Sequence, residues 1–517
     1  MTTSTLASIV QTVADNIPPT KATVTGKVPS WLRGGRLLRV GPGMFDVGDR
    51  SSFKHWFDGL AMLHSFEFAE DANDVTYTGR FLETSVYKKS KAAGRLVGDL
   101  FGTRSSATTR SDPCETIFGR SLSQYTPSTP GRGSDNTNVN VLPSSSSDKW
   151  IALAELTSVW QFDPVSLETK ERVHIVGSNP ELNRMITMTA HPHAASDSGM
   201  YNVGLLPGAR SNASYYAIFK TDASEKYASE LVCLLPAHDG LSYYHSFGIT
   251  DRYFIFVESP LKLALWRAAR SRDVSFADCM YWVHDKPSRF RLVDRKTSKE
   301  IVDVTYEADP FFCFHHVNAF EDDANGRLVV DVVSYPNGKI ALESASLEEL
   351  RGGGEAVECD FRRFFLPLDA TGVTKVESEV LSDRYALELP RINYESRNGR
   401  PYRFAYGLGL SSPSRTFHDG LIKLNTETKE TLEFFEENMY ASEPIFVEAP
   451  DPKTEDDGVV LTVFLSGNPD EKKPFLLVLD ATSFEEIARA EFACRIPTTF
   501  HGNFLPAARL PDSPSIS

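Results

Sequence analysis

One turn signal recurs along the chain and restricts its fold more than any other feature of the sequence. A short apolar run ends in Asp or Asn, a Ser or Thr follows three residues later, and a second strand-like run then resumes. This signal occurs at residues 160–166, 291–297, 422–428 and 477–483. An Asp or Asn side chain accepts backbone N–H groups within a tight turn, and the hydroxyl caps the same turn. The pattern therefore predicts a series of β-hairpins.

The spacing of these turns favours a β-propeller. The turn positions Asp163, Asp294, Asn425 and Asp480 are 131, 131 and 55 residues apart. Propeller blades commonly contain about 40–45 residues, so the longer spacing fits about three blades. Similar turns also occur in other all-β architectures, and the spacing alone leaves that alternative open.

The remaining sequence also reads mostly as short strands. Val-, Ile-, Leu- and Phe-rich runs bounded by turn residues predict strands at 150–160, 253–258, 327–334, 459–466 and 475–480. Apolar periodicity predicts helices at 6–13, 261–272 and 347–351. Residues 126–149 are rich in Ser, Thr, Pro and Gly, which predicts a low-complexity surface loop within a single domain spanning 1–517.

Composition excludes several classes of protein. The 517 residues carry a formal charge of −15, which argues against a nucleic-acid-binding protein. Six cysteines without a CxxC pair disfavour a zinc ribbon and a disulfide scaffold, and they indicate a reducing compartment. No run of 18 apolar residues occurs, so we expect no membrane-spanning helix and a cytoplasmic location.

Four groups of histidines lie in apolar or turn-rich segments at predicted strand ends. They are His191, His245, the His315–His316 pair and His501. No local zinc spacing joins them, because they are 54 to 186 residues apart. In a propeller, however, the inner strand of every blade faces the axis, where distant residues can meet. From the residues alone, ordinary core histidines remain the alternative to a metal site.

Several motifs, taken together and in order, resemble those of the carotenoid cleavage oxygenase family. The resemblance is to the animal branch, which contains the β-carotene oxygenases and the retinoid isomerohydrolase, and it covers nearly the whole chain. The motifs are Phe57-Asp-Gly59, Ala190-His-Pro-His193, His245-Ser-Phe-Gly248, Phe314-His-His-Val-Asn318, Ser442-Glu-Pro-Ile-Phe446 and Phe500-His-Gly502.

The resemblance implies an all-β fold, a seven-bladed β-propeller with a helical and loop cap over one face. It also implies one Fe(2+) on the axis, held by four histidines. The implied ligands are His191, His245, His315 and His501. Three glutamates would accept hydrogen bonds from the outer ring nitrogens of ligands, and the matching positions are Glu155, Glu388 and Glu443.

The implied function is that of an Fe(II)-dependent dioxygenase, which cleaves a double bond of a carotenoid or apocarotenoid with O2 into two carbonyl products. Two alternatives remain open, a retinoid isomerohydrolase and a non-catalytic carotenoid- or retinoid-binding protein. Val40 and Ala154 replace the Asn and Thr that family members often have at these positions. The retinoid isomerase also lacks that Asn, which keeps the first alternative open.

Two further expectations concern the substrate. Phe57 and Phe101 match tunnel-lining positions of the isomerase and are candidates to line an apolar tunnel. The most basic stretch of the chain, with apolar residues between its cations, suggests peripheral contact with a membrane surface, from which a carotenoid would be extracted. The candidate membrane-contact residues are Lys88, Lys89, Lys91 and Cys114.

Overall fold

The computed structural model describes most of the chain. The described residues are 5–48, 52–104, 134–144, 148–175, 182–195, 199–208, 214–222, 227–270, 274–354, 357–382, 387–412 and 417–509. The side chains of 268–270 are outside this description. The predicted membrane-contact residue Cys114 also lies outside the described residues.

Seven sheets, antiparallel apart from one parallel strand pair, are arranged as the blades of a propeller, which confirms the predicted all-β fold. We number the blades in chain order and give the strands of each from the axis outward. Blade 1 contains Gly502–Leu505, Arg36–Met44, Leu60–Phe68, Val75–Phe81 and Ile17–Lys21. Blade 2 contains Asn140–Pro143, Trp150–Leu153, Ser158–Phe162 and Thr169–His174. Blade 3 contains Thr187–Met188 with His193–Ala194, then Met200–Leu206, Tyr215–Thr221 and Ser229–Pro236.

The other four blades follow the same plan. Blade 4 contains Gly248–Ile249, Tyr253–Glu258, Ser288–Asp294, Lys299–Glu300 with Val304–Ala308, and the parallel strand Gly372–Lys375. Blade 5 contains His316–Asp322, Arg327–Ser334, Asp360–Pro367 and Glu377–Ser382. Blade 6 contains Glu388–Arg391, Phe404–Gly409, Gly420–Asn425 and Thr431–Phe435. Blade 7 contains Met439–Ala441 with Ile445–Glu448, then Gly458–Ser466, Phe475–Asp480, Glu486–Glu491 and Thr23–Gly26.

Strands from the two ends of the chain close the ring. Near the C-terminus, Gly502–Leu505 pairs with Arg36–Met44 and becomes the inner strand of blade 1. Near the N-terminus, Thr23–Gly26 pairs with Glu486–Glu491 and becomes the outer strand of blade 7. Buried apolar clusters fill the spaces between neighbouring blades, such as the one that joins Leu421 of blade 6 to Phe464 of blade 7. Burial of both faces explains why these strands read as continuous apolar runs.

The four predicted turns share one geometry. The side chains of Asp163, Asp294, Asn425 and Asp480 each accept the backbone N–H of the residue three positions later. The residue four positions later has a positive φ in every case, at Leu167, Ser298, Lys429 and Phe484. Each turn joins two outer strands of a blade, so the sequence signal does mark repeated hairpins. The predicted strand at 150–160 is instead two strands, separated by a turn that contains Glu155.

The connections between strands contain the helices, Ser85–Ala93, Leu265–Arg270, Leu347–Gly352 and Tyr394–Arg397, and the π-helical turn Ile340–Ser344. Four connections join into a cap through backbone hydrogen bonds, which include Trp56 N–H to Ala345 C=O and Ala277 N–H to Phe101 C=O. The helix predicted at 347–351 is confirmed. The one predicted at 261–272 begins as the strand Leu261–Leu263, and the one predicted at 6–13 is only the 3₁₀ turn Thr5–Ser8.

The prediction of a surface loop over 126–149 is wrong for residues 134–144. Asp135, Asn136 and Asn138 are at most 5% exposed, and the inner strand Asn140–Pro143 follows them. Their polar side chains satisfy backbone groups of the cap: the Asn138 amide, for example, donates to the Phe57 carbonyl at 2.8 Å. A segment whose composition is typical of loops is therefore buried here, and its polar side chains form hydrogen bonds with the cap. Residues 126–133 and 145–147 lie outside the described residues.

Candidate metal centre

Four histidines from four blades meet on the propeller axis. His245, His315 and His501 each stand at most three residues before the inner strands of blades 4, 5 and 1, and His191 lies between the two inner segments of blade 3. One nitrogen of each ring lies within 4.8 Å of the others. The ring centroids of the five closest pairs are 4.5 to 5.2 Å apart. These are the four histidines that the resemblance implied.

The inward-facing ring nitrogens fit a metal ion. His191 Nε2 and His245 Nε2 are 2.8 Å apart, and His315 Nε2 is buried without a hydrogen-bond partner. A buried imidazole nitrogen without a partner is costly unless something else binds it. Four converging imidazoles suit a first-row transition metal.

Burial favours the neutral form that a metal requires in three of the rings, those of His191, His245 and His501. Burial lowers the pKa of His191 well below its usual value, and the neighbouring histidines lower it further. Burial also lowers the pKa of His245, against the opposing effect of Glu155. For His501 burial outweighs the Glu443 carboxylate and brings the pKa to about 4.

Three glutamates, the buried Glu388 and Glu443 and the partly buried Glu155, hold the outer nitrogens of three rings. His245 Nδ1 is 2.5 Å from Glu155 Oε1, in the turn between two blade 2 strands. Similarly, His315 Nδ1 is 2.6 Å from Glu388 Oε2, and His501 Nδ1 is 2.7 Å from Glu443 Oε1. An acceptor at Nδ1 places the proton there and directs the Nε2 lone pair inward. Among the described residues, no carboxylate accepts a hydrogen bond from His191.

The glutamates Glu388 and Glu443 are ionised in this setting. Burial alone would raise the pKa of Glu388, but His315, the Tyr335 hydroxyl and the Leu389 N–H outweigh it and hold the pKa at about 2. For Glu443 the opposing groups are Arg391, His501 and Arg39, and its pKa is also about 2. Each carboxylate is thus a fixed negative charge beside the histidines.

Sequence reasoning did not identify the groups that hold these glutamates. The Tyr243 hydroxyl donates to Glu155 at 2.7 Å, and the Tyr335 hydroxyl donates to Glu388 at 2.6 Å. Arg391 Nε donates to Glu443 Oε1 at 2.8 Å, and Arg39 lies 3.9 Å from its other oxygen. Tyr243 lies two residues before His245, and Arg391 lies three residues after Glu388. This proximity in sequence was the only feature that could have identified them.

The adjacent histidines have other partners. His193 bonds the Tyr394 hydroxyl at 2.8 Å and the Phe247 carbonyl at 2.9 Å, so both of its nitrogens are engaged. His316 Nδ1 is 2.9 Å from the Ser246 hydroxyl. Neither belongs to the four-histidine cluster. The choice of His315 over His316 therefore agrees with the geometry.

Aromatic side chains cover the cap side of the cluster. The ring centroid of Phe57 is 5.5 Å from that of Phe500 and 6.1 Å from that of Phe314, the residues directly before His501 and His315. The ring centroid of Phe101 is 5.6 Å from that of Phe57 and 6.2 Å from that of Tyr243. The structure thus brings Phe57 and Phe101 together, and Phe57 contacts the residues directly before two histidines of the cluster.

The predicted membrane-contact lysines lie on the helix Ser85–Ala93, away from the cluster. Lys88 is 3.3 Å from Glu83, and Lys91 is 3.6 Å from Asp15. Lys89 is exposed. Nearby carboxylates therefore offset part of the basic charge that the sequence suggested. No helix in the described part of the chain is long and apolar enough to cross a membrane.

Comparisons with known proteins agree on one family. The family model described as retinal pigment epithelial membrane protein matches residues 10–506. The carotenoid-cleaving dioxygenase, mitochondrial, of Macaca fascicularis is 35% identical, over 97% of this chain and 94% of the relative. The beta,beta-carotene 15,15'-dioxygenase of Rattus norvegicus is 35% identical, over 96% of this chain and 90% of the relative.

Solved structures share the fold. A Synechocystis apocarotenoid oxygenase with a glutamate-to-glutamine substitution has a TM-score of 0.77 at 22% identity, covering 97% of this chain and 98% of that one. A cobalt-substituted form of that oxygenase has a TM-score of 0.76 at 24% identity, with 97% and 98% covered. From its motifs, its propeller, and its match to the family model and these relatives, the chain belongs to the carotenoid cleavage oxygenase family.

Proposed function

We propose that the protein is an Fe(II)-dependent dioxygenase that cleaves a double bond of a carotenoid or apocarotenoid with O2, giving two carbonyl products. The observation that carries the proposal is the set of four converging imidazoles, three of them held by glutamates at Nδ1. The names of the relatives support the substrate class. In this proposal His191, His245, His315 and His501 are the iron ligands.

The chain itself would fix the geometry of the reaction. A bound iron(II) would supply an open coordination site where O2 meets the polyene. Glu155, Glu388 and Glu443 hold the Nδ1 protons of three ligands, so their Nε2 lone pairs point inward. Because all four ligands are neutral, they leave the full 2+ charge on the metal.

The aromatic cover supplies the apolar surroundings that a polyene needs. The ring of Phe57 contacts those of Phe314 and Phe500, the residues directly before two of the proposed ligands. Phe101 extends this surface towards Tyr243, with ring centroids 6.2 Å apart. We propose that Phe57 and Phe101 line the substrate tunnel, where they exclude water and orient the chain of double bonds.

Product analysis under oxygen-18 labelled O2 tests the function. Purified protein is incubated with β-carotene or an apocarotenal, and the products are analysed by mass spectrometry. We expect two carbonyl products that carry the label, and none from a His501→Ala variant. Supplying a retinyl ester in parallel identifies the alternative activity, since an isomerised alcohol without label would replace our proposal by isomerohydrolysis. Substrate binding without turnover would replace it by a carrier function.

We also propose that the protein works in the cytoplasm and contacts a membrane surface peripherally, since its substrate dissolves in lipid. A patch of exposed aromatic side chains supports this: Trp266 is 58% exposed and Tyr281 39% exposed, and Arg267 lies against both rings. Trp and Tyr favour the membrane interface. Lys88, Lys89, Lys91 and Cys114 are the contact residues that the sequence suggested.

Sedimentation with anionic liposomes tests which of two surfaces contacts the membrane, the Trp266–Tyr281 patch or the lysines of the helix Ser85–Ala93. We compare wild type with a triple variant, Lys88→Glu, Lys89→Glu and Lys91→Glu, and with Trp266→Ala. Leu432→Ala is the control, since Leu432 is 43% exposed on another blade. Reduced pelleting of either variant relative to the control supports that surface. If wild type remains in the supernatant, the membrane proposal is wrong. Imaging of a fluorescent fusion distinguishes the cytoplasm from the mitochondrion that the macaque relative's name indicates.

A further inference from the structure

The three glutamates around the cluster have electrically different partners. Glu155 and Glu388 receive tyrosine hydroxyls, from Tyr243 and Tyr335. Both hydroxyls are neutral donors, so they add no positive charge beside the two carboxylates. The side of the cluster that contains His245 and His315 is therefore anionic.

Glu443 is instead paired with arginines. Its Oε1 accepts hydrogen bonds from both Arg391 Nε, at 2.8 Å, and His501 Nδ1, at 2.7 Å. Arg391 also donates to the Gly502 carbonyl at 2.7 Å, so its guanidinium bridges the carboxylate and the residue after the ligand. Arg39 is fully buried and donates to the Glu443 carbonyl at 2.8 Å.

The charge of Arg391 reaches the cluster itself. Arg391 is among the charges that lower the pKa of His191 and of His501, after the larger effect of burial. An arginine stays protonated at any physiological pH, and its guanidinium is therefore a permanent positive charge. It stands one hydrogen-bonded carboxylate away from a metal ligand, in surroundings that water screens poorly.

We propose that Arg391 is a positioning residue whose fixed positive charge holds the iron in the ferrous state. A ferric ion carries one more positive charge than a ferrous ion, so a nearby cation destabilises the ferric form more. The four neutral ligands do not favour the ferric form. The negative charges of Glu155, Glu388 and Glu443 together favour it. Arg391 offsets one of these three charges. The inference rests on the proposed iron site but not on the substrate.

The reason to hold the metal ferrous is chemical. The proposed cleavage breaks both the σ and the π bond of one C=C, and these four electrons reduce O2 to the two carbonyl oxygens, so it consumes no reducing cosubstrate. Nothing in such a cycle would return an oxidised iron to the ferrous state. A protein that relies on this chemistry gains from a built-in charge against oxidation.

Anaerobic redox titration of the iron-loaded protein tests the proposal. Ferricyanide takes one electron from each ferrous ion and becomes ferrocyanide, and the ferric fraction is read from its electron paramagnetic resonance signal. The variants are Arg391→Gln, which removes the charge, and Arg391→Lys, which keeps it. Arg327→Gln is the matched control, because Arg327 also forms an arginine–carboxylate pair, with Asp322 at the end of the inner strand of blade 5 opposite to His316.

At a fixed potential we expect the ferric-to-ferrous ratio of Arg391→Gln to exceed that of wild type by about tenfold or more, since a unit charge leaves a poorly screened site. Arg391→Lys and Arg327→Gln should stay near wild type. A wild-type ratio in Arg391→Gln would overturn the proposal, and so would an equally large shift in Arg391→Lys, which would point to geometry rather than charge. If Arg391→Gln does not fold, Arg391→Met, of similar length, replaces it. If even wild type binds no iron, the proposed function fails, and this inference fails with it.

Discussion

Replacing each of the three glutamates that hold a histidine by glutamine should weaken metal binding to three different extents. Glutamine keeps one acceptor oxygen but puts an NH2 donor in place of the other. The cost therefore depends on how many donors already point at each carboxylate. Counting those donors predicts the order Glu443→Gln, then Glu388→Gln, then Glu155→Gln, from the most to the least severe.

At Glu443 both oxygens face donors. Oε1 receives His501 Nδ1–H and Arg391 Nε–H, and Oε2 receives the Gly502 N–H at 3.0 Å. Either orientation of a glutamine therefore sets donor against donor. An unsatisfied buried donor costs about 1–3 kcal/mol, and breaking a buried ion pair costs roughly 3–5 kcal/mol. We expect Glu443→Gln to lose well over 100-fold in metal affinity and to destabilise the metal-free protein as well.

The other two glutamates leave room for the amide. At Glu388, Oε2 accepts from His315 and from the Leu389 N–H, but Oε1 meets only the Tyr335 hydroxyl, which can rotate and accept instead. At Glu155, Oε1 accepts both described hydrogen bonds, so the amide can take the place of Oε2. We expect a loss of roughly 10–100-fold for these variants, with Glu155→Gln at the lower end.

Iron content after dialysis against graded chelator concentrations measures these affinities. Thermal unfolding of the metal-free proteins, run in parallel, separates loss of metal from loss of fold. Glu307→Gln is a suitable control, because Glu307 pairs with Arg289 at the partly exposed edge of blade 4. If Glu155→Gln loses iron as readily as Glu443→Gln, the donor count does not govern the site, and the reasoning is refuted.

Two more predictions follow from single contacts. His315→Ala should abolish iron retention, while His316→Ala should keep most of the iron because His316 is engaged with Ser246. Metal analysis of the two variants measures this. The reverse result would make His316 the ligand in place of His315. Asp58 is fully buried, and burial raises its pKa to about 7 even though Thr103 and Gly102 donate to it. The folded protein therefore binds a proton more tightly than the unfolded chain, and this contribution to stability is lost as the pH rises. Relative to Asp58→Asn, the free energy of unfolding of wild type should fall by about 1.4 kcal/mol per pH unit between about pH 5 and pH 7. Equal slopes in urea titrations would contradict this.

The fold could be predicted from the sequence wherever a local signal repeats. The turn motif at Asp163, Asp294 and Asp480 reports a hairpin whatever surrounds it, because the side chain satisfies backbone groups within three residues. The two ends of the ring were not predictable in this way. The pairing of Arg36–Met44 with Gly502–Leu505 depends on contacts more than 450 residues apart, which no local pattern records.

The same distinction applies to the site. The histidines and glutamates could be named because the motifs of the family contain them. Asn136 and Asn138 were misread, since polar residues rich in turn-formers look alike whether they face water or a buried carbonyl. Tyr335 and Arg391 were missed for a related reason: each reaches its glutamate across a blade boundary, at a distance in sequence of about 50 residues.

Metal binding and closure of the ring depend on the same segment. His501 directly precedes Gly502–Leu505, the strand that completes blade 1, and its carbonyl accepts the Val40 N–H at 3.1 Å. Arg39, next to Val40, donates to the Phe500 carbonyl and to Glu443 of blade 7. A proposed ligand of the metal thus lies where the first and last blades join. Because an ion that binds only the closed ring stabilises that ring, whatever opens the joint must also release the metal.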